Sequence, residues 1–215
     1  ISSTNENLLK IMLSNGVHYE DGEYVDINYP VSVIGESRDG CIVIGGLKMN
    51  GNEEDDVSVS NLTLRESNYC GVFGNGASTF GCIHLDDVSV ENSKLCGVAV
   101  YGTQRNTMNN CNVSHSKYSG LVVGDGGLMT ISGNGTTIHH NGTDGNSWDV
   151  GLDASSSSSI HLASSLTIEM ISKNNGGGGN HGGAGAIKSV NKDGKVLEVV
   201  YDGQDESDDE DQDDY

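Results

Sequence analysis

Aromatic residues make up only 5% of this 215-residue chain and all apolar residues together 34%, too little to fill a wide globular core. Proline is nearly absent, with one residue, whereas glycine reaches 31. That much glycine argues against a helical bundle, because a glycine inside a helix costs about 1 kcal/mol relative to alanine. Together with the many Val, Ile, Ser and Asn residues, it fits short strands joined by turns. Positive charge is also scarce. Eleven Lys and Arg face 31 Asp and Glu, a formal net charge of -20. Nine of the acids fall between Asp202 and Tyr215, where there is no Lys or Arg, leaving 22 acidic against 11 basic residues in the body. A surface this acidic repels phosphate backbones, so nucleic acid is excluded as an expected partner.

No run of about 18 apolar residues occurs, so no transmembrane helix is expected. The five cysteines, Cys41, Cys70, Cys82, Cys96 and Cys111, are odd in number and contain no C-x-x-C pair. This argues against a disulfide framework and against a zinc site, and favours reduced, buried thiols. The chain opens on Ile1 without a charged-then-apolar leader, as expected of a fragment or of a chain whose beginning has been removed. The compartment stays open, although the free cysteines and the acidic tail point towards the cell interior.

What the chain does have is an internal repeat. Val57 to Val72 (VSVSNLTLRESNYCGV) matches Ile83 to Val98 (IHLDDVSVENSKLCGV) position for position at a shift of 26 residues. A third copy follows 23 residues later around Asn110, Cys111, Val113, Ser116 and Gly120-Leu121, and a weaker fourth holds Thr136, Ile138, Asn141 and Gly151-Leu152. Val25, Ile27, Val31 and Val33 extend the pattern backwards; Ile160, Leu162, Leu166 and Ile168 extend it forwards. Each copy carries two alternating apolar doublets with a parity change between them. Alternation marks a half-buried strand, and the parity change marks a corner. Stacking such coils at the ordinary strand spacing of about 4.8 Å predicts three inward columns. They are Leu62, Val88, Cys111, Thr136; Leu64, Val90, Val113, Ile138; and Val72, Val98, Leu121, Leu152. Asn61, Asp87 and Asn110 fall at one corner, and Gly71, Gly97, Gly120 and Gly151 mark a second. The expected architecture is an all-β parallel β-helix of about six coils over residues 1–201, followed by a disordered acidic tail over 202–215.

The ends and interruptions carry further expectations. Leu8 to Leu13 reads as a capping helix or a first inward strand, with the residues that follow favouring the strand. Ala186 to Val190 and Val196 to Tyr201 flank NKDG and read as two strands joined by a turn, closing the stack. Gly142 to Asp149, which holds the only Trp, and Asn174 to Gly185, read as a flexible glycine-rich excursion, leave the rhythm. Loops on a rigid scaffold are where function tends to sit.

The repeat of N-x-L-x-x-x-S-x-x-x-G-V type in Asn61 to Val72 resembles the parallel β-helix repeat of the pectate-lyase-like superfamily. The segment Gly16 to Glu36 (GVHYEDGEYVDINYPVSVIGE) is similar to the first coil of many members. The resemblance spans roughly Ile11 to Ile168. It implies a single-stranded right-handed helix, and a role among polysaccharide lyases, galacturonases, pectin esterases or non-catalytic adaptors. Of the galacturonase-like motifs, Asp86-Asp87 matches one and Asn180-His181-Gly182 matches another poorly, while the Asn-Thr-Asp and Arg-x-Lys motifs are missing. Arg65 and Arg105 lack the surroundings of a lyase arginine.

The residues that could carry chemistry are therefore few. Asp86 and Asp87 are candidate paired carboxylates for glycosidic hydrolysis, with Arg65, Glu91 and His115 on neighbouring coils completing an acidic groove. The plainer reading makes Asp87 a corner residue. Glu53 to Asp56 could hold calcium, although a solvated loop is the expectation; no other cofactor is expected. His115 aligns with His140, two imidazoles without a third ligand, so no metal is expected. Cys70 and Cys96 stack, and packing is the default for small thiols. Sequons occur at Asn61, Asn112, Asn134 and Asn141. The leading expectation is a non-enzymatic binding or scaffold module that contacts a protein or polysaccharide through its faces and the loops near Trp148 and His181. The rival is a carbohydrate-active or carbohydrate-binding protein.

Overall fold

A computed structural model describes residues 9–50, 56–75, 81–163 and 165–203. Within them the chain forms one continuous sheet of 19 strands, coiled so that it presents three faces. The first face stacks Leu9–Leu13, Val31–Gly35, the starts of Val57–Arg65 and Ile83–Glu91, then Asn106–Asn109, Leu128–Ser132, Ser159–Ala163 and Ala186–Val190, all parallel. The second stacks the starts of Gly16–Ile27 and Cys41–Met49, the ends of Val57–Arg65 and Ile83–Glu91, then Asn112–Ser114, Thr137–His139 and Ser172–Lys173. The third stacks the ends of Gly16–Ile27 and Cys41–Met49 with Val72–Asn75, Val98–Tyr101, Leu121–Gly124, Val150–Ala154 and Gly179–Gly182.

The register is the one the repeat dictates. Leu62 pairs with Val88 and Leu64 with Val90; Val90, Val113 and Ile138 follow one another, as do Val72, Val98, Leu121 and Leu152. All of these side chains are buried in one dry interior. The solenoid makes about seven turns, against the six expected. Both ends contribute to the difference, because Leu9–Leu13 already pairs in parallel with Val31–Gly35, and Ala186–Val190 still pairs in parallel with Ser159–Ala163. Val196–Asp202 then turns back and closes the first face antiparallel, as the NKDG turn predicts. Leu166 and Ile168, expected as a strand doublet, are buried in a turn and in a one-turn helix, Ile168–Ile171, capped by the Thr167 side chain.

The corners separate two physical demands that look alike in sequence. Asn61, Asp87 and Asn110 adopt left-handed backbone, with φ of 56°, 53° and 51°. The second corner uses the same conformation, but at Glu66, Asn92, His115, His140 and Asn174. The nearby Gly71, Gly97 and Gly120 serve close approach between coils instead: a Cβ on Gly97 would lie 2.2 Å from Val113 Cγ1 and 2.6 Å from the Gly120 carbonyl oxygen. Asn174 to Gly185 is likewise no free excursion. It contains the strand Gly179–Gly182, and a Cβ on Gly176, Gly177 or Gly178 would meet the backbone of Gly142, Asn146 or Ser147 in the preceding coil. The residues of Glu53 to Asp55 and of the tail from 204 onwards lie outside the described residues, as does Leu8.

Candidate functional site

Every coil aims alternate side chains outwards, so each face carries an outer row whose chemistry can be compared. On the first face the row is Ser58, His84, Thr107, Thr130, His161 and Lys188. On the second it is Ile42, Thr63, Ser89, Asn112 and Thr137. These rows are mostly polar and partly self-satisfied: Asn112 Nδ2 donates to Ser89 Oγ (2.8 Å), Thr137 Oγ1 donates to Asn112 Oδ1 (3.0 Å), and His84 Nδ1 lies 3.0 Å from Thr107 Oγ1. The third face differs. Its row runs Lys48, Phe73, Ala99, Val122 and Asp153, apolar in the middle and acidic at one end.

Outward residues on a sheet are ordinarily wet, yet Ala99 is 1% and Val122 7% exposed. Cys70, Phe73, Leu95, Cys96 and Tyr101 pack around them in a second hydrophobic cluster, separate from the interior. Aromatic rings form a chain across this side. Tyr69 stacks on Tyr24 at 5.0 Å between centroids, Tyr24 lies 6.4 Å from Phe73, and Phe73 lies 6.0 Å from Tyr101. Tyr101 lies across Gly124, where a Cβ would fall 2.5 Å from its ring. Burial pushes the Tyr101 hydroxyl up to about 12.

At the acidic end, burial and then the neighbouring Asp149 push Asp153 up to about 6, and burial with Asp144 raises Asp149 as well. A carboxyl whose pKa is raised by its surroundings is typical of sites that bind or transfer protons. Because the folded protein holds this proton more tightly than the unfolded chain, Asp153 favours the fold most below about pH 4, and that contribution is lost as pH rises through about 6. Asp153→Asn is therefore expected to stabilise the protein at pH 7, by on the order of 1 kcal/mol once solvent screening is allowed for. It should change little at pH 4. Thermal melts across that range check both halves.

The residues singled out from sequence are spread over the faces and corners and are not brought into one groove. Asp86 is exposed on the first face, and Oδ1 accepts from Asn109 Nδ2. Asp87 sits at the first corner, where Oδ1 accepts from an Arg38 guanidinium nitrogen at 2.9 Å. Arg65 and Glu91 pair across coils on the second face, with Arg65 Nε and Nη2 both reaching Glu91 Oε2 at 3.0 and 2.9 Å. Glu91 is thus separated from Asp86 by the corner within one strand. His115 stacks on His140 (5.3 Å, 5°), and His139, whose Nδ1 lies 2.7 Å from that of His140, adds a third ring. No His, Cys, Asp and Glu group suited to a metal ion occurs among the described residues. Trp148 projects from the 142–149 insertion, 82% exposed. His181 continues the inward column after Leu152 and meets Tyr201 edge-on at 4.9 Å. Of the acidic run, Asp56 pairs with Arg105 at 3.0 Å. The sequon residue Asn141 is fully buried.

The third-face row was missed although it stands one residue beyond each Gly-Val or Gly-Leu pair of the repeat. Its signal was the apolar character of Phe73, Ala99 and Val122, which break the polar alternation of an outer row.

These observations define a parallel β-helix with an apolar outer row on one face, and comparison with known families agrees on the class. The family described as right-handed β-helix region matches residues 45–191, about two thirds of the chain, and the chain belongs to that family. No curated protein and no solved structure matches the chain. No helix among the described residues is long and apolar enough to cross a membrane.

Proposed function

We propose that this protein is a non-enzymatic binding module that holds a neutral polysaccharide chain along its third face, parallel to the solenoid axis. The single observation that carries this reading is the outer row of Phe73, Ala99 and Val122, apolar where the other two faces carry polar outer rows, with the partly exposed rings of Phe73 and Tyr101 packed over it. Ligand sites are concave and largely apolar, with few polar groups that orient the ligand. Here the rings of Tyr24, Tyr69, Phe73 and Tyr101 form a contiguous apolar chain along this side, and Asp149 and Asp153 supply polar groups at one end. A net charge of -20 disfavours uronate-rich chains, which leaves neutral glycans as the matching class.

Isothermal titration with glucan, xylan and mannan oligosaccharides tests the reading. At least one is expected to bind, and Val122→Arg, which places a charge in the middle of the row, is expected to reduce affinity at least tenfold, about 1.4 kcal/mol. Equal binding by the variant would contradict it. A carbohydrate-active enzyme is the second reading, favoured by the raised pKa of Asp149 and of Asp153. Reducing-sugar and unsaturated-uronate assays, with and without calcium, separate the two. Turnover abolished by Asp153→Asn would favour the enzyme, and binding without turnover favours the module.

A further inference from the structure

Two thiols on the third side of the solenoid have no part in the binding reading. Cys70 and Cys96 occupy equivalent positions of successive coils, and the Gly71 amide that follows Cys70 donates to the Cys96 carbonyl at 3.1 Å, which fixes the two backbones side by side. Both cysteines are free. The interaction between the two sulfurs is the first cause that lowers the Cys70 pKa and raises that of Cys96, so Cys70 gives up its proton the more readily. The Tyr24 hydroxyl lies against the same residue, accepting a hydrogen bond from the Cys70 amide at 3.1 Å, and its nearness also lowers the Cys70 pKa. Cys70 is 6% exposed, while Cys96 is only partly buried and opens the pair to solvent. The remaining cysteines differ. Cys41 and Cys111 lie within the interior cluster, and burial raises the pKa of Cys41, Cys82 and Cys111.

Reactive cysteines are those with thiolate character, access and a resolving partner in reach. At this pair Cys70 has the lowered pKa, Cys96 stands beside it as the resolving partner and, being only partly buried, supplies the access, a combination that no other cysteine among the described residues has. We propose that Cys70 and Cys96 form a peroxide-reactive dithiol that closes to a disulfide bridging two coils. The Cys70 sulfur gives an electron pair to the terminal oxygen of a hydroperoxide. The O–O bond breaks, the other oxygen leaves with a proton as water or an alcohol, and Cys70 becomes a sulfenic acid. Cys96 sulfur then attacks Cys70 sulfur, the S–O bond breaks, and the departing hydroxyl takes up the Cys96 proton to leave as water. Two thiols are oxidised and one peroxide is reduced. The step requires little motion of the chain, since residues stacked on adjacent strands lie within the Cα separation of about 4.4–6.8 Å that a disulfide accepts.

The experiment is peroxide treatment of the folded full chain with hydrogen peroxide, followed by alkylation and tryptic mapping. Cleavage after Lys94 separates Cys70, in 66–94, from Cys96, in 95–105, so the bridge appears as a linked pair of peptides; fragmentation distinguishes Cys70 from Cys82 within the first. The expected result is an intact mass lower by two hydrogens, the 66–94 and 95–105 peptides joined through Cys70, and Cys41, Cys82 and Cys111 still alkylated. In Cys96→Ser the sulfenic acid should persist at Cys70 and be trapped by dimedone. Serine is tolerated there because Ser119 holds the equivalent place in the next coil. A bridge through Cys82, oxidation spread evenly over the five cysteines, or a Cys70–Cys96 link formed only in urea would overturn the proposal.

Discussion

Leu121→Ala is expected to lower the stability of the solenoid by about 3 kcal/mol, within the range for emptying a fully buried leucine site. Leu121 is 0% exposed and stacks directly between Val98 and Leu152. Its loss removes packing from two neighbouring coils at once, because a solenoid derives stability from interfaces between adjacent repeats. Backbone pairing above and below holds the coil spacing, so the cavity cannot collapse sideways. Urea unfolding measures the effect. Thr130→Ala, on the outer row of the first face, is the control and should stay within about 0.5 kcal/mol of the parent. Equal costs at the two sites would mean that the inward columns do not share one interior.

The second large effect is expected at Asn141. Its side chain is 0% exposed and works as a bracket between coils: Oδ1 accepts the Ser116 amide at 3.0 Å, and Nδ2 donates to the Val113 carbonyl at 3.1 Å. Asn175 repeats the arrangement one coil later, with Oδ1 accepting the Asn141 amide at 3.0 Å and Nδ2 donating to the Ile138 carbonyl at 3.1 Å. Asn141→Ala leaves a buried N–H and a buried carbonyl without those partners, at a cost of about 2–4 kcal/mol. Asn141→Ser should recover part of the loss, since Ser67, Ser93 and Ser116 fill the same column in earlier coils and are likewise buried. Denaturant unfolding of the three proteins checks the order: parent, then serine, then alanine. The same burial predicts that the Asn141 sequon carries no glycan, because the amide nitrogen that a sugar would occupy is already committed inside the coil.

The columns were legible in the sequence because a strand alternates with a period of two and a coil repeats at a nearly fixed length, so Val57 could be set on Ile83 by inspection. Other parts of the solenoid were harder. Asn106–Asn109 supplies only Met108 as a large inward apolar group, and Leu166 with Ile168 satisfies the apolar pattern although the backbone there turns and winds into a helix. Burial alone does not report backbone shape. The glycines misled for a related reason. A left-handed corner and a close backbone approach both select glycine, yet here asparagine, aspartate, glutamate and histidine take the left-handed positions while glycine relieves contact between coils.

The candidate site was the least legible part. Charged residues attract attention in a sequence, but Asp87 and Arg65 are engaged by Arg38 and Glu91, residues 49 and 26 positions away in the chain. The third face, conversely, is assembled from residues that look ordinary one at a time. Phe73, Ala99 and Val122 become a surface only when three coils are stacked, and Tyr24 reaches Cys70 across 46 residues. Asp153 acquires its raised pKa from burial beside Asp149, a relation set by the 142–149 insertion rather than by the repeat.

Backbone and methyl NMR during titration with neutral oligosaccharides probes the outer row of the third face most directly. Perturbations are expected at Val72–Asn75, Val98–Tyr101, Leu121–Gly124 and Asp153, with the polar rows led by Ser58 and Thr63 unchanged. Shifts confined to those polar rows, or no response from the third face to any of the sugars, would contradict the assignment.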